Sequence, residues 1–290
     1  MANQAAQTAY GPMSIVVAEQ YYPEGQRLIE DALAFQFLPP GLKVFARLVR
    51  WTLVRDLIFN LSERRAHGVW GSVLCRKRYI DDKLLETISD GLQAVVILGA
   101  GLDTRAYRLA ALGALQVFEV DLPENIAYKS SKLQELYGSV PAHVVLVPLD
   151  LDCQDLASGL AAHGYRADYK SFFVWEAVTQ YLSQAGVQKT LKSLAQAKTG
   201  SRLVFTYIRK DFIDGTARYG LEALYQAYRG KSPLWHFGLA PGQVAAFLEP
   251  YAWKELEQVG SQEYTVRYLK PAGRAMPVTE IERAVYAEKL

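Results

Sequence analysis

Residues 98–121 carry the groups with the clearest chemical use. Gly99-Ala100-Gly101-Leu102-Asp103-Thr104 follows an apolar run, and a second apolar run ends on Glu119 and Asp121. Glycines in a strand-to-helix turn let a ligand approach the backbone closely. An acid about 20 residues further on is placed to accept hydrogen bonds from ribose hydroxyls. This is the adenosine half of a nucleotide- or cofactor-binding fold. Glu119 and Asp121 should share one face of their strand, since strand side chains repeat every second residue. Either acid could serve, and Asp121 stands nearer the strand end.

Two departures from the dinucleotide pattern narrow the ligand. Thr104 stands where a third glycine would allow close helix–strand packing, and Asp103 puts negative charge near the helix start. A carboxylate there competes with a pyrophosphate for the same N–H groups and repels it. NAD and FAD are therefore disfavoured. S-adenosyl-L-methionine (SAM) has no phosphate and carries an ammonium and a sulfonium, so Asp103 does not oppose it.

These groups need a frame to hold them. Apolar runs at 94–98, 115–120, 143–148, 171–175 and 201–207 alternate with helical patterns at 104–112, 123–137, 154–162 and 184–197. Apolar strands separated by helices predict a parallel sheet covered on both faces. Ligands then bind beyond the carboxyl ends of the strands, so functional residues should follow the apolar runs. Residues 1–90 read as helical, with amphipathic spacing at 26–37, 42–62 and 72–88. After Tyr207 the pattern predicts helices at 216–228 and 242–248 around an aromatic loop, then two late strands at 253–258 and 281–288.

The 290 residues are half hydrophobic and carry a net charge of +2, which supplies a large core and no general case for nucleic acid. Cys75 and Cys153 follow no metal or redox spacing, and the opening residues lack the basic start and apolar core of a secretory leader. No apolar run reaches the length of a membrane span. A cytoplasmic protein without stable membrane insertion is expected.

The segments LGAGLDTRAYRL (98–109) and VFEVDLP (117–123) together resemble the leucine carboxyl methyltransferase (PPM) superfamily, in its bacterial SAM-dependent O-methyltransferase branch. The stretches FFVWEAVTQYL (172–182), LVFTYIRKDFIDG (203–215) and IERAVYAEK (281–289) extend the resemblance over most of the chain. It implies an α/β fold with the Rossmann-like seven-stranded sheet of class I methyltransferases. It also implies a helical cap or lid over 1–90 and a SAM-binding core over 91–290, with a lid insertion around 208–250. In CRKRYIDD, Arg76 matches the family arginine that binds the methionyl carboxylate, with Arg78 as the fallback. Gly99 and Gly101 would admit the methionyl part and Asp121 would bind the ribose. Asp150 would accept from the adenine amino group while Leu151 packs on the ring, and Glu176 would face the methionyl ammonium.

The acceptor side is less legible. The implied reaction is methyl transfer to a carboxylate or hydroxyl of a small molecule. A carboxylate needs no general base, whereas a hydroxyl usually does. The four histidines (67, 143, 163 and 236) form no ligand-like cluster, so no metal is expected. His236 in the aromatic loop is a candidate base, and Tyr22, Tyr181, Tyr207 and Arg209 are candidate pocket residues. In LKVFARLVRWTLVRDLIFNLSERR (42–65) arginines interleave with apolar residues. A membrane-surface helix fits that pattern, and a cap closing the acceptor pocket fits it better. Two other chemistries remain: intramolecular cyclisation of SAM releasing methylthioadenosine, and silent SAM binding without turnover.

Overall fold

The structure, a computed structural model, describes residues 9–230 and 233–290. Residues 1–8, the start of the opening stretch read above as lacking leader features, lie outside the described residues.

Seven strands form one sheet: β1 (Ala94–Leu98), β2 (Gln116–Asp121), β3 (Val144–Pro148), β4 (Ser171–Trp175), β5 (Arg202–Ile208), β6 (Trp253–Val259) and β7 (Glu282–Lys289). Their spatial order is β3-β2-β1-β4-β5-β7-β6. The first five strands run parallel, and β7 runs antiparallel to both β5 and β6. Every residue of β1 and of β4 is buried. Alternation still divides them: Val95 and Ile97 join one apolar cluster, and Ala94, Val96 and Leu98 join the other. The chain builds outward from β1 to β3 and then returns to place β4 on β1's other side. A crevice opens at that reversal, beyond the carboxyl ends.

Four helices matter most for the site: α1 (Tyr10–Glu19), α2 (Pro40–Leu48), α3 (Thr52–Arg65) and α4 (Val69–Ile88). Helix α4 packs against β4, β5 and β7, and both α1 and α3 touch it. The buried residues of α1 include Met13, Val16, Val17 and Ala18, from a stretch too evenly apolar to show one face in the sequence.

The expected helix over 26–37 is mostly absent; one turn at Ala34–Phe37 remains. Side chains capture the backbone donors that a helix would use. Glu19 accepts from Leu28 N at 2.7 Å, Gln20 from Asp31 N at 2.9 Å, and Asp31 from Ala34 N at 3.0 Å. The helix expected over 42–62 is split, with Trp51 in an extended conformation between α2 and α3. The helix expected over 104–112 contracts to Arg105–Arg108, followed by a 3-10 segment at Ala110–Ala114. The two late strands are present, but a connection containing helical segments at Ser261–Tyr264 and Thr265–Leu269 joins them.

Candidate functional site

Along the carboxyl edge of the sheet, the sequence-selected residues fall in strand order: Asp150 and Leu151 past β3, Asp121 ending β2, Gly99 and Gly101 past β1, and Glu176 past β4. The glycine turn is pinned to β2 because Gly99 N and Ala100 N both donate to Val120 O, at 2.8 and 3.0 Å. Asp121 then closes the unit. Its Oδ2 accepts from Gly101 N at 2.6 Å, and its Oδ1 accepts from Leu122 N and Asn125 Nδ2, each at 2.7 Å. Burial pushes the Asp121 carboxyl up, against the pull of these hydrogen bonds. Leu149 N donates to Asp121 O at 2.8 Å, which sets the following Asp150 and Leu151 beside Asp121. Leu151 is buried in the cluster that holds Val120 and Val147, and Asp150 is half-buried.

Glu119, the competing acid, is committed elsewhere. It is fully buried, pairs with Lys129 Nζ at 2.9 Å and accepts from Tyr107 OH at 2.6 Å. Lys129 also reaches Ala100 O at 3.3 Å, so Glu119 braces the turn from below while Asp121 stays at its rim.

Two glycines meet different surroundings. At Gly101 (φ +38°) a Cβ would meet Ala9 Cβ and Asp121 Oδ2 at 3.8 Å, ordinary contact distances, so the left-handed backbone rather than crowding favours glycine there. Gly99 (φ +67°) would place a Cβ 2.2 Å from Val178 Cγ2. Gly99→Ala should therefore cost about 2 kcal/mol or more, from the left-handed backbone and the overlap together. Urea denaturation with an unchanged midpoint would refute this.

Past β4, Glu176 is the hub of a buried ionic cluster. Its Oε1 meets Arg76 Nε at 2.8 Å and Lys77 Nζ at 3.4 Å, and its Oε2 meets Arg105 Nη1 at 2.7 Å. Arg105 also binds Asp81 at 2.6 Å and pairs with Asp103, and Arg108 binds Asp81 at 2.6 Å. Burial alone would raise the Glu176 carboxyl, but Lys77, Arg105 and Arg76 outweigh it and hold it well below the usual range. The group is anionic at neutral pH. Asp103, buried too, is held low chiefly by Arg105 and Lys77, and its Oδ1 accepts from Arg105 N at 2.8 Å.

The two candidate arginines separate cleanly. Arg76 is buried, and its Nη1 reaches Glu282 Oε2 at 2.6 Å. Arg78 lies at the surface, paired with Asp82 at 2.8 Å. Arg105 was missed as a functional candidate. Its signal was present in the basic pair of DTRAYR and the acidic pair of YIDD, which lie far apart in sequence.

Next to this cluster is a cavity of about 380 Å³, beyond β4 and β5 and under α1–α3. Its wall is mainly apolar, with Ile15, Val49, Ile58, Trp70 and Trp235 among the lining residues. Arg76, Gln180 and Glu282 supply polar groups. Glu282 Oε1 and Gln180 Oε1 are buried and unpartnered, as are the indole nitrogens of Trp70 and Trp235.

Of the acceptor-side candidates, Tyr181 lines the cavity. The others stand apart from its wall. Tyr22 is sandwiched between the Arg55 and Arg274 guanidiniums, at 4.0 and 3.9 Å from its ring centroid. Tyr207 is fully buried in the core and donates to Gln258, and Arg209 pairs with Asp211 at 2.7 Å. His236 is exposed; its backbone N donates to Gln180 O at 2.6 Å while its neighbour Trp235 faces the cavity. Among the described residues, no group of three or more His, Cys, Asp or Glu side chains is arranged to hold a metal ion. No described helix is long and apolar enough to cross a membrane.

The family model for leucine carboxyl methyltransferase matches residues 9–195. A Mycobacterium marinum protein named "Putative S-adenosyl-L-methionine-dependent methyltransferase" is 33% identical over 183 residues, covering 62% of this chain and 60% of that protein. A Streptomyces coelicolor protein with the same description is 33% identical over 146 residues, covering 50% of this chain and 51% of its own length. These matches thus span between half and three-fifths of the relatives. A solved Thermobifida fusca structure, named "putative methyltransferase", superposes with a TM-score of 0.57 at 14% identity, covering 81% of this chain and 88% of that one. That likeness bears on the fold alone.

Proposed function

Because this chain belongs to the leucine carboxyl methyltransferase family, we propose that it transfers a methyl group from SAM to an oxygen of a small, largely apolar molecule. One observation carries the reading: Arg76 stands both in the charged cluster at the cofactor edge and in the wall of the apolar cavity. A donor site and an acceptor site therefore meet at a single side chain.

The residues fit the cofactor. SAM supplies a methyl carbon activated by a positively charged sulfur. Asp121, beside Gly101 N, keeps acceptor capacity for ribose hydroxyls. Asp150 and Leu151 would take the adenine amino group and ring. Glu176, kept anionic, suits an ammonium, and Arg76, whose Nε and Nη1 already donate to Glu176 and Glu282, would meet a carboxylate through its remaining Nη2. The cap would exclude water and hold the acceptor close. Both cysteines are free, which fits a reducing cytoplasm.

The cavity wall favours a hydroxyl acceptor over a carboxylate. Arg76 is already paired with Glu176 and Glu282, whereas Glu282 Oε1, buried in a residue of the wall, has no hydrogen-bond partner. A hydroxyl that reached Glu282 Oε1 would donate to it and pass it the proton as its oxygen bonds the methyl carbon and that carbon's bond to sulfur breaks, S-adenosylhomocysteine being the leaving group. A carboxylate would meet like charge. The size of the cavity also supports a second substrate rather than internal cyclisation of SAM.

Calorimetric titration with S-adenosylhomocysteine tests the donor assignment. Wild type should bind, and Asp121→Ala should bind roughly tenfold to a hundredfold more weakly, the worth of a charged hydrogen bond. Absence of wild-type binding would refute the cofactor assignment. Methylthioadenosine as sole product from SAM would instead establish cyclisation, and tight binding with no product in an acceptor screen would establish a silent binder.

A further inference from the structure

The roof of the cavity has a second, outward face. Among the described residues twelve large apolar side chains are exposed, and six of them fall between 44 and 61: Val44, Leu48, Trp51, Leu53, Leu57 and Leu61. Leu53, Leu57 and Leu61 follow at intervals of four on α3, so they form one row along the helix. Val44 and Leu48 repeat that spacing on α2. Leu53 is 85% exposed and Leu57 58%. These are not core residues at a margin. The inward residues of the same elements, among them Ala46, Val49, Ile58 and Ser62, line the cavity, so the apolar row points away from it.

The charge around this row is one-sided. Lys43, Arg47, Arg50, Arg64 and Arg65 flank it, while Asp56 is the exposed acid of the segment and Glu63 is half-buried, accepting from Gly68 N at 2.8 Å. The Arg50 guanidinium sits 5.0 Å from the Trp51 ring centroid, giving an amphipathic pair suited to a polar–apolar boundary. A second copy of the chain is a poor occupant, because a twofold contact would set this basic rim against itself. An anionic lipid surface accepts both halves: the leucines enter the headgroup boundary and the cations meet phosphate.

We propose that α2 and α3 dock this protein peripherally on anionic bilayers through the row Val44, Leu48, Trp51, Leu53, Leu57 and Leu61. Docking this way brings the roof of the cavity to the lipid. An acceptor that partitions into membranes would then be delivered beside its site, a consequence that rests on the methyltransferase reading; the docking itself does not.

Vesicle flotation of the full chain, without cofactor or acceptor, tests the docking alone. The protein should float with phosphatidylcholine–phosphatidylglycerol vesicles at low salt. It should partition roughly tenfold less onto phosphatidylcholine alone, since each basic residue near an anionic surface contributes. The triple variant Leu53→Ser, Leu57→Ser, Leu61→Ser should lose at least about tenfold of its partitioning with its melting temperature unchanged, because these side chains already lie in water. Should the triple variant melt early, Leu53→Ser alone carries the comparison. Arg64→Gln with Arg65→Gln should weaken binding to anionic vesicles only. A wild type that stays with the soluble fraction overturns the proposal. So does a leucine variant that floats equally well, or a dimer in light scattering that the leucine variant dissolves while no vesicle binding occurs.

Discussion

Glu282→Gln should lower kcat by about 10²–10⁴-fold, the usual worth of a positioned general base, while leaving affinity for S-adenosylhomocysteine largely unchanged. The split follows from the two oxygens of one carboxylate. Oε2 holds Arg76 at 2.6 Å, and Oε1 is buried without a partner in a residue of the cavity wall. Glutamine is nearly isosteric and can still accept from Arg76, so the guanidinium keeps its place. It cannot take a proton from a hydroxyl. An acceptor found by product screening would be assayed with both proteins at saturating SAM. A hydroxyl acceptor requires the loss in kcat. An unchanged kcat would show that the methylated oxygen needs no base at Glu282, which is how a carboxylate would behave. A loss confined to cofactor affinity would reduce Glu282 to a support for Arg76.

Glu282 also shows where sequence reading falls short. The parallel strands were legible because each is a short apolar run, and those at 94–98 and 171–175, buried throughout, leave little choice of register. In a parallel sheet the functional edge follows each run, which pointed to Gly99 and Asp121, while Asp150 and Glu176 came from the family resemblance. Strand β7 is antiparallel, with Glu282 opposite Ile208 at the carboxyl end of β5. Its functional end therefore precedes the apolar run, where the parallel rule does not look. The segment IERAVYAEK carried the family resemblance without disclosing which residue reached the cavity. The cap was blurred for a different reason. Glu19, Gln20 and Asp31 replace local backbone partners over 28–34, so apolar spacing there suggested a helix that the hydrogen bonds do not form. His236 was attractive as a chemical type, yet the neighbouring Trp235 faces the cavity.

Arg105→Met should destabilise the fold by about 3–5 kcal/mol, the cost of breaking a buried ion-pair network from one side. Arg105 is fully buried and binds Asp81, Asp103 and Glu176, so its loss leaves three buried carboxylates short of a cation. For a chain of 290 residues the thermal midpoint should fall by roughly 5–8 °C. The sign of the pH dependence separates this cause from a packing defect. In wild type Asp103 and Glu176 titrate below their ordinary values of 3.8 and 4.5. Their contribution is therefore complete above those values and is lost as pH falls through the lower, folded ones. Asp31, Glu119 and Asp121 act in the opposite sense, because burial raises them and protonation on acidification relieves a cost. These latter groups persist in both proteins, so most of their effect cancels in the difference. In Arg105→Met the orphaned carboxyls take up protons at higher pH than in wild type, which removes their mutual repulsion. The stability gap should accordingly be widest near neutrality and narrow as pH drops into the carboxylate range. Paired urea titrations across that range read the gap directly. A gap that stays constant with pH would assign the loss to packing of the side chain rather than to the charge it supplies. A gap under about 1 kcal/mol would be that of an exposed pair and would deny Arg105 its central place in the cluster that holds Glu176.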